Sequence, residues 1–422
     1  MKNFTDAQEI LDNTSLVQDF VALAKMNTAS DESATTCPSS KGQLEALSLL
    51  KEKLVNLGLD DATLDEKGFL FATLPTNQSF DSAQDRAKTI GLLAHIDTSP
   101  EFTGENVNPQ FHENYNGETI NLKNDITISP NDYPELKKCV GDTLITADGT
   151  TLLGADDKAG IAVILTTLKI LQLNPDIPRP TVRIGITPDE ELGTGVQHFD
   201  LERFNADCAY TLDGSFEGDL CFETFSADKA TVTITGLNAH PGYAKDKMVS
   251  ALRYAGKYID ALPTKESPEY TDDYEGFFHP THIEGGVAEA KISFILRDFD
   301  DEKLANRTRV MNEAKEKILQ EEPRLKINVD IQKQYRNMKN HIMKSPEVIE
   351  KARQSMKLTG ITPEERPIRG GTDGSTLSEK GLPTPNLFAG SMAYHGPKEW
   401  ISTRVMGLSV CNILNLLQIW AE

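Results

Sequence analysis

Thr89-Ile90-Gly91-Leu92-Leu93-Ala94-His95-Ile96-Asp97 is an apolar run that ends in two polar side chains. It reads as a strand over 89–95, with His95 and Asp97 at its carboxyl end. Similar runs occupy 68–74, 181–187, 208–212 and 385–389. Between them, 43–57 has the pattern of an amphipathic helix closed by Gly58, and 159–173 that of a long apolar helix. At the start, Leu11, Val17, Phe20, Val21 and Leu23 recur at helical spacing, and a Ser/Thr-rich loop follows over 28–40. Strands that alternate with helices predict an α/β fold, a mixed but mainly parallel sheet flanked by helices.

The rhythm changes between 227 and 335. Strands are predicted at 229–235, 282–287, 289–297 and 326–332, and helices at 247–262 and 302–321. The order β-α-β-β-α-β is the ferredoxin-like α+β pattern, complete in itself. Parallel-sheet signals resume after it. The expectation is therefore an inserted lid domain over 227–335, with 1–226 and 336–422 forming one discontinuous catalytic domain.

With 422 residues the chain exceeds a comfortable single core. A net charge of −21 argues against nucleic acid or an anionic membrane as partner, because phosphate binding needs clustered Lys and Arg. Five scattered cysteines without C-x-x-C spacing argue against a disulfide framework or a thiolate zinc site. Neither a secretory signal nor an uninterrupted apolar run of about 20 residues is visible, so a cytoplasmic location is expected.

Ligands of open α/β sheets bind at the carboxyl ends of strands. His95, Glu191, Asp213 and His395 fall at or just past such ends, and Asp156 lies in the turn before the 159–173 helix. Packing would favour apolar residues at most of these positions. Several clustered carboxylates without counter-ions would be costly, and only Lys158 lies close in sequence. Two histidines with several carboxylates suit a pair of divalent cations, with a carboxylate left over for acid–base work. His95 and Asp97 share one face of an extended segment, so one can ligate while the other accepts the second imidazole N–H. Asp189-Glu190-Glu191 points adjacent carboxylates in different directions, although helix N-termini carry such triplets too.

Five stretches extend this reading: TLLGADDKAG (151–160), TPDEELG (187–193), AHPG (239–242), RDFD (297–300) and RGGTDGS (369–375). With NVNPQ (106–110), they resemble the peptidase T family, the tripeptide aminopeptidase branch of the di-zinc amidohydrolases that also include aminoacylases and carboxypeptidases of the carboxypeptidase G type. The resemblance spans nearly the whole chain, with its motifs in family order. It implies two zinc ions per chain held by His95, Asp156, Glu191, Asp213 and His395, with Asp156 bridging and Asp97 orienting His95. Glu190 would be the general base. His240 would reach the oxyanion of the scissile carbonyl, and Arg297 and Arg369 would hold the substrate carboxylate. Because His240 and Arg297 belong to the inserted domain, that domain would have to close for catalysis.

One departure is visible: Pro397-Lys398-Glu399 follows His395-Gly396 where the family pattern has a second His before the Glu. The expected partners are tripeptides, a homodimer is compatible with the reading, and neither nucleic acid nor membrane is expected. Two other readings stay open. One is a related di-zinc dipeptidase or N-acyl amino acid deacylase, the other a metal-binding protein without catalysis. A free Glu190 beside Glu191 speaks against the last.

Overall fold

The computed structural model describes residues 2–78 and 88–422. They form two compact units: unit 1 runs to Phe222 and adds His341–Arg366 and Thr372–Glu422, while unit 2 is Glu223–Asn340 with Pro367–Gly371. The boundaries expected at 226/227 and 335/336 are thus corrected outward, and a distant segment joins unit 2. Long-range hydrogen bonds made by the main chain explain both shifts. Thr224 bridges to Ile368, the Phe225 N–H donates to the Ile368 carbonyl at 3.1 Å, and the Asn337 N–H donates to Ser226 Oγ at 2.9 Å. No local pattern announces such bonds.

Unit 1 is built on a seven-stranded sheet in the order Thr63–Leu64, Leu70–Leu74, Val182–Thr187, Ile90–His95, Cys208–Gly214, Asn386–Phe388, Leu220–Cys221. The four strands from Val182–Thr187 to Asn386–Phe388 run parallel, and the outer ones are antiparallel. Every residue of Ile90–His95 is buried, as a strand covered on both faces requires. A Cβ on Gly91 would come within 2.7 Å of the Phe204 ring and of Ala209. Glycine is needed there so that Phe204 can join Phe71 and Phe199 in one cluster on the sheet.

The helix Ala155–Leu173 is almost wholly buried, and Asp156 and Asp157 near its start have non-helical backbone angles. Thr403–Ala421 has the length and composition of a membrane span, yet 89% of it is buried in the fold. Its Asn415 and Gln418 side chains are hydrogen-bonded to the main chain of Phe4 and Lys2. The single N-terminal helix expected from sequence is two, Ala7–Asn13 and Leu16–Ala24.

Unit 2 has a four-stranded sheet in the order Phe277–Gly285, Glu289–Asp298, Ser226–Thr235, Lys326–Tyr335, with all neighbours antiparallel. Val232, Ile234, Ile292, Phe294 and Leu296 pack against Tyr258 of Ala251–Asp260 and against Leu304 and Met311 of Asp301–Glu321. This is the ferredoxin-like arrangement. The first helix begins at Ala251 rather than 247, because Val249 pairs with Leu237 and the Ser250 hydroxyl caps Arg253 N at 3.4 Å.

Candidate active site

The acidic and histidine side chains converge at the carboxyl ends of the parallel strands of unit 1. His95 ends its strand, Asp213 lies near the end of Cys208–Gly214, and Glu190 and Glu191 form a short turn after Val182–Thr187. His395 follows Asn386–Phe388 and sits at a left-handed φ of 60°. Asp156 is brought in by the start of the long helix. A Cβ on Gly160 would lie 2.4 Å from the Leu212 carbonyl and 2.5 Å from Asp157 Oδ1, so a bare glycine lets this helix abut the strand that carries Asp213.

Two candidate ligand groups result, His95–Asp156–Asp213 and Asp156–Glu191–His395, each with its possible donor atoms within 4.8 Å of one another. His95 Nε2 is 3.0 Å from Asp156 Oδ1 and 3.6 Å from Asp213 Oδ1. His395 Nε2 is 2.9 Å from Glu191 Oε2 and 3.7 Å from Asp156 Oδ2. Asp156 therefore faces each group with a different oxygen, as a bridging carboxylate must.

Asp97 connects the His95 strand to the Glu190–Glu191 turn. Its carboxylate accepts the Glu190 N–H at 3.0 Å, the Glu191 N–H at 3.1 Å and the Ser30 hydroxyl at 2.5 Å. His95 Nδ1 lies 3.0 Å from the Asp97 carbonyl and 3.3 Å from its carboxylate, so the main chain shares in orienting the ring.

The electrostatics is that of a cluster short of positive charge. Burial pushes Glu190 well above the ordinary carboxylate range, and pushes Glu191 and Asp213 each up to about 7. Burial also opposes ionisation of Asp156, but hydrogen bonds from His395 and His95 hold its pKa below the usual value. His395 is raised to about 11 by Asp156 and Glu191. Burial disfavours charge on His95, yet Asp156, Asp213 and Asp97 outweigh it and raise its pKa well above 6.5. The carboxylates thus pull protons onto both imidazoles, because no Lys or Arg pairs with Asp156, Glu190, Glu191 or Asp213 among the described residues. Cations on the imidazole lone pairs would supply the same neutralisation. Glu191 Oε1 is buried and lacks a hydrogen-bond partner among the described residues, which leaves that oxygen open to a ligand. The residues fit divalent metal.

Residues 148–418 match the profile of Peptidase family M20/M25/M40. The chain belongs to this family. It is 47% identical over 403 residues to peptidase T of Bacillus subtilis strain 168, covering 95% of this chain and 97% of that one. Its fold resembles that of the aminopeptidase PepT from Bacillus cereus, with a TM-score of 0.76 at 24% identity over 99% of this chain and 100% of that one. It also resembles Bacillus subtilis YXEP, a dinuclear metal-binding peptidase of the M20 family, with a TM-score of 0.65 at 14% identity over 98% and 99% of the two chains.

Three expected substrate residues of this M20 chain lie in unit 2. His240 is exposed, stacks on Tyr243 and accepts the Gly242 N–H at 3.2 Å through Nδ1. Arg297 does not pair with Asp298, which instead binds Arg307 at 2.9 Å. One of its terminal nitrogens donates to Gln334 Oε1 at 3.1 Å and to the Leu296 carbonyl at 3.0 Å, and the other has no protein partner among the described residues. Arg369 differs. Its terminal nitrogens donate to the carbonyls of Asp273 (2.7 Å), Glu275 (2.9 Å) and Thr271 (3.3 Å) and to Thr271 Oγ1 (3.1 Å). A substrate carboxylate at Arg369 would have to displace these bonds.

Several residues at the site escaped the sequence reading. Asp373 donates its N–H to Glu190 Oε1 at 3.2 Å and accepts the Thr187 hydroxyl at 2.6 Å. Asp157 accepts the His95 and Gly160 N–H groups, each at 3.2 Å. Glu399 accepts three main-chain N–H groups around Asp156. The RGGTDGS and GADDKAG runs and the HxxxE spacing were their only local signals.

Proposed function

We propose that this chain is a tripeptide aminopeptidase, a zinc-dependent hydrolase that releases the N-terminal residue of tripeptides. The observation that carries the reading is Glu190. It stands beside two ligand groups that share Asp156 and belongs to neither of them. Full-length identity to peptidase T supports the substrate class. When bound, the ions would supply a Lewis acid for the carbonyl and a water of lowered pKa. His95, Asp156 and Asp213 would hold one, and Asp156, Glu191 and His395 the other.

Glu190, its Oε1 fixed by the Asp373 N–H, takes a proton from the attacking water and returns it to the leaving amine nitrogen. Burial suits it to this exchange, because a carboxylate of raised pKa is a better base. Asp97 keeps Glu190 and Glu191 in register by bonding both main-chain N–H groups. We assign His240 to the oxyanion of the scissile carbonyl, and Arg297, one of whose terminal nitrogens makes no hydrogen bond among the described residues, to the C-terminal carboxylate of the substrate. A cytoplasmic location agrees with five unpaired cysteines.

The test is hydrolysis of a free tripeptide, its N-acetyl form, a dipeptide and a tetrapeptide by protein supplied with zinc. Release of the first residue from the free tripeptide, suppressed by chelator and restored by zinc, is expected. Preferential removal of the acetyl group would instead make the protein a deacylase. Zinc binding without any hydrolysis would leave only a metal-binding protein.

A further inference from the structure

Asp156 is the side chain that both ligand groups require, and its carboxylate faces His95, His395, Asp213 and Glu191. Its main chain departs from helical angles, so the helix that follows does not hold it in place. Glu399 reaches that main chain from the far end of the sequence. Its Oε2 accepts the N–H groups of Leu153 and Gly154, each at 2.7 Å, and its Oε1 accepts the N–H of Asp156 at 2.9 Å.

Glu399 is 1% exposed and forms no ion pair with a Lys or Arg among the described residues. The nearby Lys158 ammonium acts on Glu399 through space and donates its hydrogen bond to the Met26 carbonyl at 2.8 Å. A carboxylate buried on main-chain N–H groups alone is costly, and plain helix capping does not call for one from 243 positions away. The same short segment carries His395: the Glu399 N–H donates to the Gly396 carbonyl at 3.2 Å. Directly after it, the fully buried Trp400 pairs with Thr146 in a strand ladder, which fixes the segment from behind.

We propose that Glu399 is a positioning residue for metal binding. It clamps the 153–156 main chain so that Asp156 presents one oxygen to each group, and it ties that clamp to the segment bearing His395. The inference rests on the reading that both groups hold divalent cations. A glutamine at 399 would keep one acceptor oxygen but turn an NH2 group toward a main-chain N–H, breaking the clamp on one side.

The experiment is titration of the full-length chain with zinc chloride against a competing chelator, comparing the natural protein, Glu399→Gln and His395→Ala. Glu399→Gln should weaken both zinc equivalents together, each by about 10–100-fold, whereas His395→Ala should lose one and keep the other. Unchanged affinities in Glu399→Gln, or loss confined to one equivalent, would overturn the proposal while leaving the metal reading intact. A natural protein that binds no zinc would overturn both. Where Glu399→Gln does not fold, amide hydrogen exchange of the natural protein decides. The Leu153, Gly154 and Asp156 amides should be as protected without zinc as with it, and rapid exchange in the zinc-free form would sink the clamp.

Discussion

Buried acid in unit 2 and buried acid at the candidate site of unit 1 are treated in opposite ways. In unit 2, Asp298 is buried and answered by Arg307 at 2.9 Å, and Asp228 is answered by Arg336 at 2.8 Å. In unit 1, the ion-pair partners of Asp156, Glu191 and Asp213 among the described residues are imidazoles. An arginine settles a carboxylate permanently, since it cannot lose its proton and its fork saturates the oxygens. An imidazole offers a lone pair that a cation can use. Acid paired with guanidinium is therefore closed to a cation, and acid facing imidazole is open to one.

The contrast breaks most visibly at Glu190. Glu190→Gln should lower kcat by about 10²–10⁴-fold, the typical loss of a general base, with zinc content and circular dichroism unchanged. Loss of zinc in this variant would make Glu190 a ligand. On the unit 2 side, Arg307→Ala leaves Asp298 buried and alone, and should cost about 3–5 kcal/mol in stability by chemical denaturation. Zinc stoichiometry should not change. An Arg307→Ala protein of natural stability would erase the distinction between the two kinds of acid.

A smaller effect is expected at Arg297, where Arg297→Ala should raise KM for free tripeptides by an amount equivalent to about 1.5–3 kcal/mol. KM for tripeptide amides, which lack the carboxylate, should hardly move. Equal losses on both would show Arg297 to be structural. The smallest effect has the opposite sign. In zinc-free protein, Asp213→Asn removes one of the crowded carboxylates and should stabilise the fold by about 1 kcal/mol, as substitutions that relieve strained active sites commonly do. Destabilisation measured by thermal unfolding of the zinc-free variant would mean that the cluster is not short of positive charge.

The parts of the fold that were legible in the sequence are those with a regular period. The strand Glu289–Asp298 alternates buried and less buried residues, and Ile90–His95 is apolar throughout, so both carry the patterns of their environments. Gln110–His112, Leu144–Thr146, Ser391–Met392 and Trp400–Ser402 form a further four-stranded sheet that was not foreseen. Strands of two or three residues contain at most one repeat of the period, so they leave no pattern to detect. The helix Glu347–Thr359 was missed as well, despite an amphipathic sequence.

The sequence by itself determined which chemistry is available. His95, Asp156, Glu190, Glu191, Asp213 and His395 stand out because polar residues at strand ends and helix starts are poor packing choices. It also determined the composition of unit 2 as a self-contained βαββαβ module. Only the tertiary structure decided how the donors are shared, with Asp156 Oδ1 turned to His95 and Oδ2 to His395. It alone also showed that the Arg369 guanidinium is filled by main-chain carbonyls. Ser30, Asp373 and Glu399 likewise acquired their roles through hydrogen bonds that span 67, 183 and 243 positions. A hydrogen bond acts over about 3 Å whatever the separation along the chain, so its partners carry no periodicity or spacing that a single sequence can reveal.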